Sequence, residues 1–281
     1  MAAGCGLCDQ ARHAQNIQPE TCDEPRTGKA VYHLHSAISY PDRVAVRRVK
    51  VAPREARRSR RGWLGRLLWL AIATVLAFYC AVALSLAALR VVNPLSTAVQ
   101  LERHVQAWSH HTPYHKRYRF VPLNNISLEF QHAVIAAEDA RFYQHHGFDW
   151  DQVQIAFDES MEGGRTRGAS TITQQLVKNL YLTTSRSFLR KGVEFTLVPL
   201  AEFILGKRRI LELYLNVVEW GPGVYGAEAA AQYHYDISAS HVNRDQATRL
   251  AAVLPAPLRR KPVRMNDYSA KISERMRQMG W

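Results

Sequence analysis

With 281 residues the chain has room for one sizeable domain and an appendage, and its 47% apolar content excludes a wholly disordered protein. A formal net charge of +13 asks for an anionic partner, which could be nucleic acid, a membrane surface or a phosphorylated substrate. No nucleic-acid motif is present, and the densest basic run lies against an apolar segment, so the charge points to membrane and phosphate.

Residues 1–62 show no sustained period and mix Pro, Asp, Glu and His with arginines, which predicts a disordered basic tail. Cys5, Cys8 and Cys22 with His13 offer a weak zinc pattern, since no second spaced pair is present. From Leu67 to Leu89 runs an uncharged apolar stretch of 23 residues. At about 1.5 Å per residue it is long enough to cross a bilayer core. A buried core helix or a cleaved signal peptide explains it less well, because it starts late and has no small-x-small site before Pro94. Trp63 and Trp69 suit an interface. Arginines and lysines from Arg43 to Arg66 crowd the N-terminal flank, while the other flank is nearly neutral. The positive-inside rule then keeps the N-terminus cytoplasmic and exports the chain beyond Arg90. The expected layout is a cytoplasmic tail (1–62), a transmembrane helix (63–90), a linker (91–112) and a periplasmic domain (113–281). No cysteine lies beyond Cys80, so the exported part uses no disulfide.

That part reads as helical. Apolar spacing predicts a helix from Asn125 to His145 with Ser127 as a cap, which would put Glu138, Phe142 and His145 on one face. A carboxylate there could be desolvated into a general base, or be an ordinary solvated Glu. In 149–163, Trp150, Val153, Ile155, Phe157 and Met161 are either core or an apolar lip toward lipid. A Gly/Arg loop (Gly163, Gly164, Arg165, Arg167, Gly168) then feeds a helix starting near Ser170, whose first amides suit an anion. Its sequence is crowded with Ser170, Thr171, Thr173, Gln174, Gln175, Lys178 and Asn179, more polar groups than a core helix needs and suited to a sugar phosphate. A helix from Ser187 sets Arg190 and Glu194 four apart, as a surface ion pair or part of a cationic diphosphate site. The Leu, Ile and Tyr residues of 207–226 read as core, and Pro255 and Pro257 stop the helix of 249–254.

Four motifs stand in order: ED-x-x-F-x-x-H-x-G from Glu138, G-x-STITQQ-x-x-KN from Gly168, RK-x-x-E from Arg190 and K-x-x-ILE-x-YLN from Lys207. Together they resemble the glycosyltransferase module of class A penicillin-binding proteins. The closer resemblance is to its stand-alone form, the monofunctional biosynthetic peptidoglycan transglycosylase of Gram-negative bacteria. The resemblance implies a mostly α, lysozyme-like fold with head and jaw. It implies polymerisation of lipid II into β-1,4 glycan strands with inversion, releasing undecaprenyl diphosphate. On it, Glu138 is the base, and Asp139 and Phe142 complete its motif as substrate-binding residues. Ser170, Gln175, Lys178 and Asn179 contact the donor, and Arg186 and Arg190 bind diphosphate. Glu194 is the second carboxylate, for diphosphate or for a divalent cation, Mg²⁺ or Mn²⁺. Val193 stands where the family often has a Lys, and Gln246 where it usually has a Glu. Implied partners are lipid II, the growing glycan, the inner membrane and cell-division or elongation proteins, with no nucleic acid. The end at Trp281 and the lack of a serine-x-x-lysine site predict no transpeptidase activity. A membrane-anchored lytic muramidase and a non-catalytic cell-wall scaffold remain as alternatives.

Overall fold

The computed structural model describes residues 55–161, 168–185 and 187–281, with side chains from residue 62 onward. The tail before them, the Cys5/Cys8/Cys22/His13 pattern, residues 162–167 of the Gly/Arg loop and Arg186 lie outside the described residues.

Helix α1 (Glu55–Leu89) contains the apolar stretch, and from Gly62 on it is long and apolar enough to cross a membrane. Residues 62–78 are exposed, whereas Val82 and Leu86 are buried in the hydrophobic core. The connector after it carries α2 (Ala98–Ser109), capped by Thr97, so the stretch expected as a linker is largely a packed helix. Strand β1 (Arg117–Tyr118) comes next, then α3 (Leu128–Glu138) and α4 (Trp150–Met161). Helix α5 (Ile172–Tyr181) leads to α6 (Phe188–Val217), a long rod broken at Gly206, where φ is 72° and ψ 160°. Strands β2 (Glu219–Gly221) and β3 (Val224–Tyr225) come after it, with β3 between β2 (antiparallel) and β1 (parallel). Helices α7 (Ala227–Tyr235), α8 (Arg244–Ala251) and α9 (Asn266–Gln278) complete the chain. The result is mostly helical, as expected.

The core lies where α3, α5, α6 and α8 meet, and it holds Phe130, Ile135, Leu176, Leu197, Tyr214 and Leu250, all essentially inaccessible. The Phe130 ring meets Trp220 edge-on, with centroids 5.1 Å apart. Truncating such a ring to Ala would cost about 3–5 kcal/mol. Helix α6 also packs against α1. Thr196 Oγ1 and Tyr79 Oη lie 2.6 Å apart, and Arg209 Nε donates to the Leu89 carbonyl at 2.8 Å.

One expectation fails at the most important point. The helix predicted to His145 stops at Glu138, because Asp139 leaves helical geometry (φ −160°, ψ 74°) and residues 140–146 form turns. Glu138, Phe142 and His145 therefore share no helical face. Gly147 closes the turn at φ +96°, and a Cβ there would lie 2.5 Å from Val198 Cγ1. Only glycine fits that position. The apolar side chains of α4 answer the other open question. Trp150, Val153, Ile155, Phe157 and Met161 are exposed and only Ala156 is buried, so they are not core.

Candidate active site

Asp139 is the joint on which the site is built. Its Oδ2 accepts the Ile172 amide at the start of α5 at 2.9 Å, and its Oδ1 lies 2.9 Å from His145 Nε2. His145 Nδ1 accepts the Gly147 amide at 3.1 Å, so Nε2 carries the proton and donates to Asp139. The helix start expected to take an outside anion already holds an internal one. Asp139 is buried with both oxygens engaged, and Phe142 is fully buried beneath Lys207, whose Nζ sits 4.5 Å from the ring centroid. Neither presents an atom to a ligand, so the substrate contact expected of this pair becomes a positioning role. Asp139, His145 and Asp149 lie close enough to resemble a metal cluster. Asp149 Oδ1, however, receives Arg141 at 3.3 Å and the Gln152 amide at 3.1 Å, so the cluster is a hydrogen-bonded clamp.

Most of the polar crowding in α5 is likewise internal. Thr171 and Gln174 form a capping box, with the Thr171 amide donating to Gln174 Oε1 at 2.8 Å and the Gln174 amide to Thr171 Oγ1 at 3.2 Å. Thr171 Oγ1 also donates to the Gly147 carbonyl and Thr173 Oγ1 to Glu202. Asn179 is buried and donates back to the Gln175 carbonyl at 2.8 Å, so it too serves the helix rather than a donor ligand. Ser170, Gln175 and Lys178 remain. Ser170 is exposed, and Gln175 and Lys178 are half-buried.

These two residues connect the carboxylates. Gln175 Nε2 donates to Glu138 Oε2 at 2.7 Å, and its own Oε1 accepts the Tyr214 hydroxyl at 3.0 Å. The Glu138 carboxylate fixes which way the amide points, because a flipped Gln175 would aim an oxygen at it. The Tyr214 hydroxyl, which can donate or accept, then donates to the Gln175 oxygen. Tyr214, read from sequence as core, is core by burial and a site residue by its hydroxyl. Burial pushes the Glu138 carboxyl above the ordinary glutamate range; Gln175, Lys178 and Arg260 pull it partly back, and Asp139 adds to the rise. Burial also lowers the Lys178 ammonium, with Glu194 and Glu138 opposing that and Arg190 adding to it. Lys178 thus feels both carboxylates.

Glu194 is buried on α6 under two cations. Arg190 Nη1 donates to its Oε2 at 2.6 Å and Lys191 Nζ to its Oε1. With both oxygens taken by cations and no group of three metal-ligating side chains that includes it among the described residues, Glu194 does not fit a divalent-cation site. Arg190 is held at its other edge, with Nε donating to the Ser185 carbonyl at 2.7 Å. The loop bearing Ser185 is in turn clamped by Glu102 of α2, which accepts the Thr184 amide at 2.7 Å and the Thr184 hydroxyl at 2.8 Å.

Sequence reasoning missed Tyr214, Glu102 and Arg260. Arg260 is anchored to the Ala252 carbonyl at 2.9 Å and stacked near Tyr268, and it reaches the field of Glu138 from a proline-rich turn. No local pattern marks it, and only the tertiary fold brings it in.

The arrangement offers a desolvated carboxylate held by a neutral amide, beside a lysine and a second carboxylate saturated with cations. A family model described as Transglycosylase matches residues 104–279, which cover every residue of the site except Glu102. A biosynthetic peptidoglycan transglycosylase of Chromohalobacter salexigens is 44% identical over 224 residues, 78% of this chain and 96% of that protein. Proteins of the same description from Pseudomonas putida and Pseudomonas fluorescens are 46% and 43% identical, over 68% and 78% of this chain and 83% and 89% of theirs.

Proposed function

We infer the chemistry from one premise: this chain belongs to the transglycosylase family, with its lysozyme-like all-α fold. It is a peptidoglycan glycosyltransferase that polymerises lipid II into glycan strands. The 4-hydroxyl of lipid II attacks the anomeric carbon of the growing strand. The new O–C bond forms as the bond to undecaprenyl diphosphate breaks, and the hydroxyl proton passes to Glu138. A single displacement inverts the α-linked donor to a β-1,4 link.

The observation that carries this reading is the chain from the Tyr214 hydroxyl through the Gln175 amide to the Glu138 carboxylate. It keeps a base oriented without neutralising it, and burial raises its proton affinity. Diphosphate is already a fair leaving group, so cations that take up its charge matter more than a proton donor. Lys178, Arg190 and Lys191 lie together around Glu194 and supply that charge. Glu194 fixes their positions, and no step here runs through a metal ion. A lytic muramidase would instead protonate a glycosidic oxygen, and this cationic cluster has no use in that reaction.

In this reading α1 spans the inner membrane once, the N-terminus is cytoplasmic and the site faces the periplasm, which supports growth on a lipid-linked substrate. The chain makes strands without crosslinking them. The test is the purified full chain with lipid II. Muramidase-digestible, uncrosslinked glycan with release of undecaprenyl diphosphate and no labelling by fluorescent penicillin is expected. A chain that binds lipid II without turnover would leave the scaffold reading standing.

A further inference from the structure

Helix α2 is amphipathic in the wrong sense for a helix in water. Several polar side chains, with Val99, turn to the protein, while His104 and Ser109 stay exposed. Gln100 is buried, Arg103 Nε donates to Glu219 Oε2 at 3.2 Å, and Glu102 holds Thr184. Its large apolar side chains turn away. Leu101, Val105 and Trp108 are 60%, 51% and 75% exposed. They stand four and then three positions apart, so they form one stripe. A helix in a soluble domain puts such a stripe on the core and its charges outside. Here the large apolar stripe faces outward and the inward side is largely polar.

The surroundings indicate what covers the stripe. The membrane-length helix α1 ends at Leu89, and α2 begins at Ala98. The residues between are pinned to the domain: Arg209 grips the Leu89 and Val92 carbonyls, Lys116 Nζ donates to the Leu95 carbonyl at 3.0 Å, and Tyr118 Oη to the Pro94 carbonyl at 2.6 Å. That connector also exposes Val91 and Leu95, which are 82% and 90% accessible. Exposed apolar surface therefore continues from α1 through the connector onto α2. Trp108 lies in the last turn, and an indole suits the boundary between headgroups and acyl chains.

We propose that α2 is an interfacial helix whose Leu101–Val105–Trp108 stripe lies in the lipid of the leaflet from which α1 emerges. The inference rests on the reading of α1 as a membrane span. It adds a route from the bilayer to the site, because the same helix carries Glu102, which clamps Thr184, and the adjoining Ser185 carbonyl anchors Arg190. Lipid seating then holds the cationic side of the site in register with a substrate that lies in the same leaflet.

The test uses the full chain in vesicles of phosphatidylethanolamine and phosphatidylglycerol, with Cys5, Cys8, Cys22 and Cys80 replaced by serine. Nitroxide labels are placed through Leu101→Cys, Val105→Cys and Trp108→Cys, with Leu76→Cys in α1 and Gln232→Cys, an exposed position of α7, as references. The three α2 labels should favour oxygen over a water-soluble nickel chelate, like position 76 and unlike position 232. Labels that read as water while position 76 reads as lipid overturn the proposal alone. Water at position 76 as well overturns the span with it. Labels shielded from both reagents mean that protein covers the stripe, which also overturns it. As a second arm, Leu101→Ser/Val105→Ser/Trp108→Ser should raise the KM for lipid II in vesicles roughly threefold or more while leaving turnover in detergent intact. An unchanged KM would refute the link to the site.

Discussion

The two carboxylates of the site are supported in opposite ways. Glu138, at the end of α3, receives one hydrogen bond from a neutral amide, and its nearby cations act at longer range. Glu194, on α6, receives Arg190 and Lys191 directly on its two oxygens. A carboxylate whose charge is already neutralised makes a poor base but a good anchor, because it holds cations where an anion must bind. One whose charge is desolvated and loosely opposed keeps its appetite for a proton. The difference supports separate roles for the two in the proposed reaction, where the motifs present both simply as glutamates.

The largest effect that could break this comparison is in the rate. Glu138→Gln should lower polymerisation about 10²–10⁴-fold while lipid II affinity changes little, as befits loss of a general base with shape retained. Residual turnover near wild type, measured with labelled lipid II, would remove Glu138 from the reaction. On the other side, Lys178→Ala and Arg190→Ala should weaken donor binding as well as rate, each by roughly 10–100-fold, since these cations bind the diphosphate before and during bond breaking. A loss confined to rate would contradict that.

A smaller effect sharpens the account of how the cations are held. Glu102→Ala releases Thr184 and should raise the lipid II KM roughly several-fold with little change in kcat, while Glu102→Gln, which keeps an acceptor, should recover most of it. An equal loss in both variants would mean that charge, not the clamp, matters at that position.

The smallest effect is on stability. Because burial raises the Glu138 pKa, its protonated form stabilises the fold fully in acid, and that contribution is lost as pH rises through the raised value. Above neutral pH, Glu138→Gln should therefore melt about 2–4 °C higher than wild type, and the gap should close in acid. A melting point below wild type at every pH would indicate a carboxylate that the fold welcomes.

The same two regions differ in how far the sequence disclosed them. The Arg190–Glu194 pair arises from a helix start at Ser187 and a spacing of four, and both are as expected. Around Glu138 the periodicity misleads, because Asp139 ends the helix with an interaction formed 33 residues away, at the Ile172 amide. The crowding of hydroxyls and amides in α5 resembles a ligand surface, yet Thr171 and Gln174 spell a capping box that is recognisable from their spacing. Tyr214 and Arg260 carry no local signal, since one is a core aromatic whose hydroxyl happens to face the site and the other arrives by way of a turn. Helix α2 reads as a linker in the sequence because its apolar stripe is short and its inward side is largely polar.

The most direct test of the central claim is the pH dependence of single-turnover polymerisation at saturating lipid II, comparing wild type with Gln175→Leu. The wild-type rate should fall with acid along one ionisation that lies above the ordinary glutamate value of about 4.3. Removing the amide that stabilises the Glu138 anion should move that limb to higher pH. An acid limb at the ordinary value, or one that Gln175→Leu leaves in place, would contradict the assignment of Glu138 as a desolvated base held by Gln175.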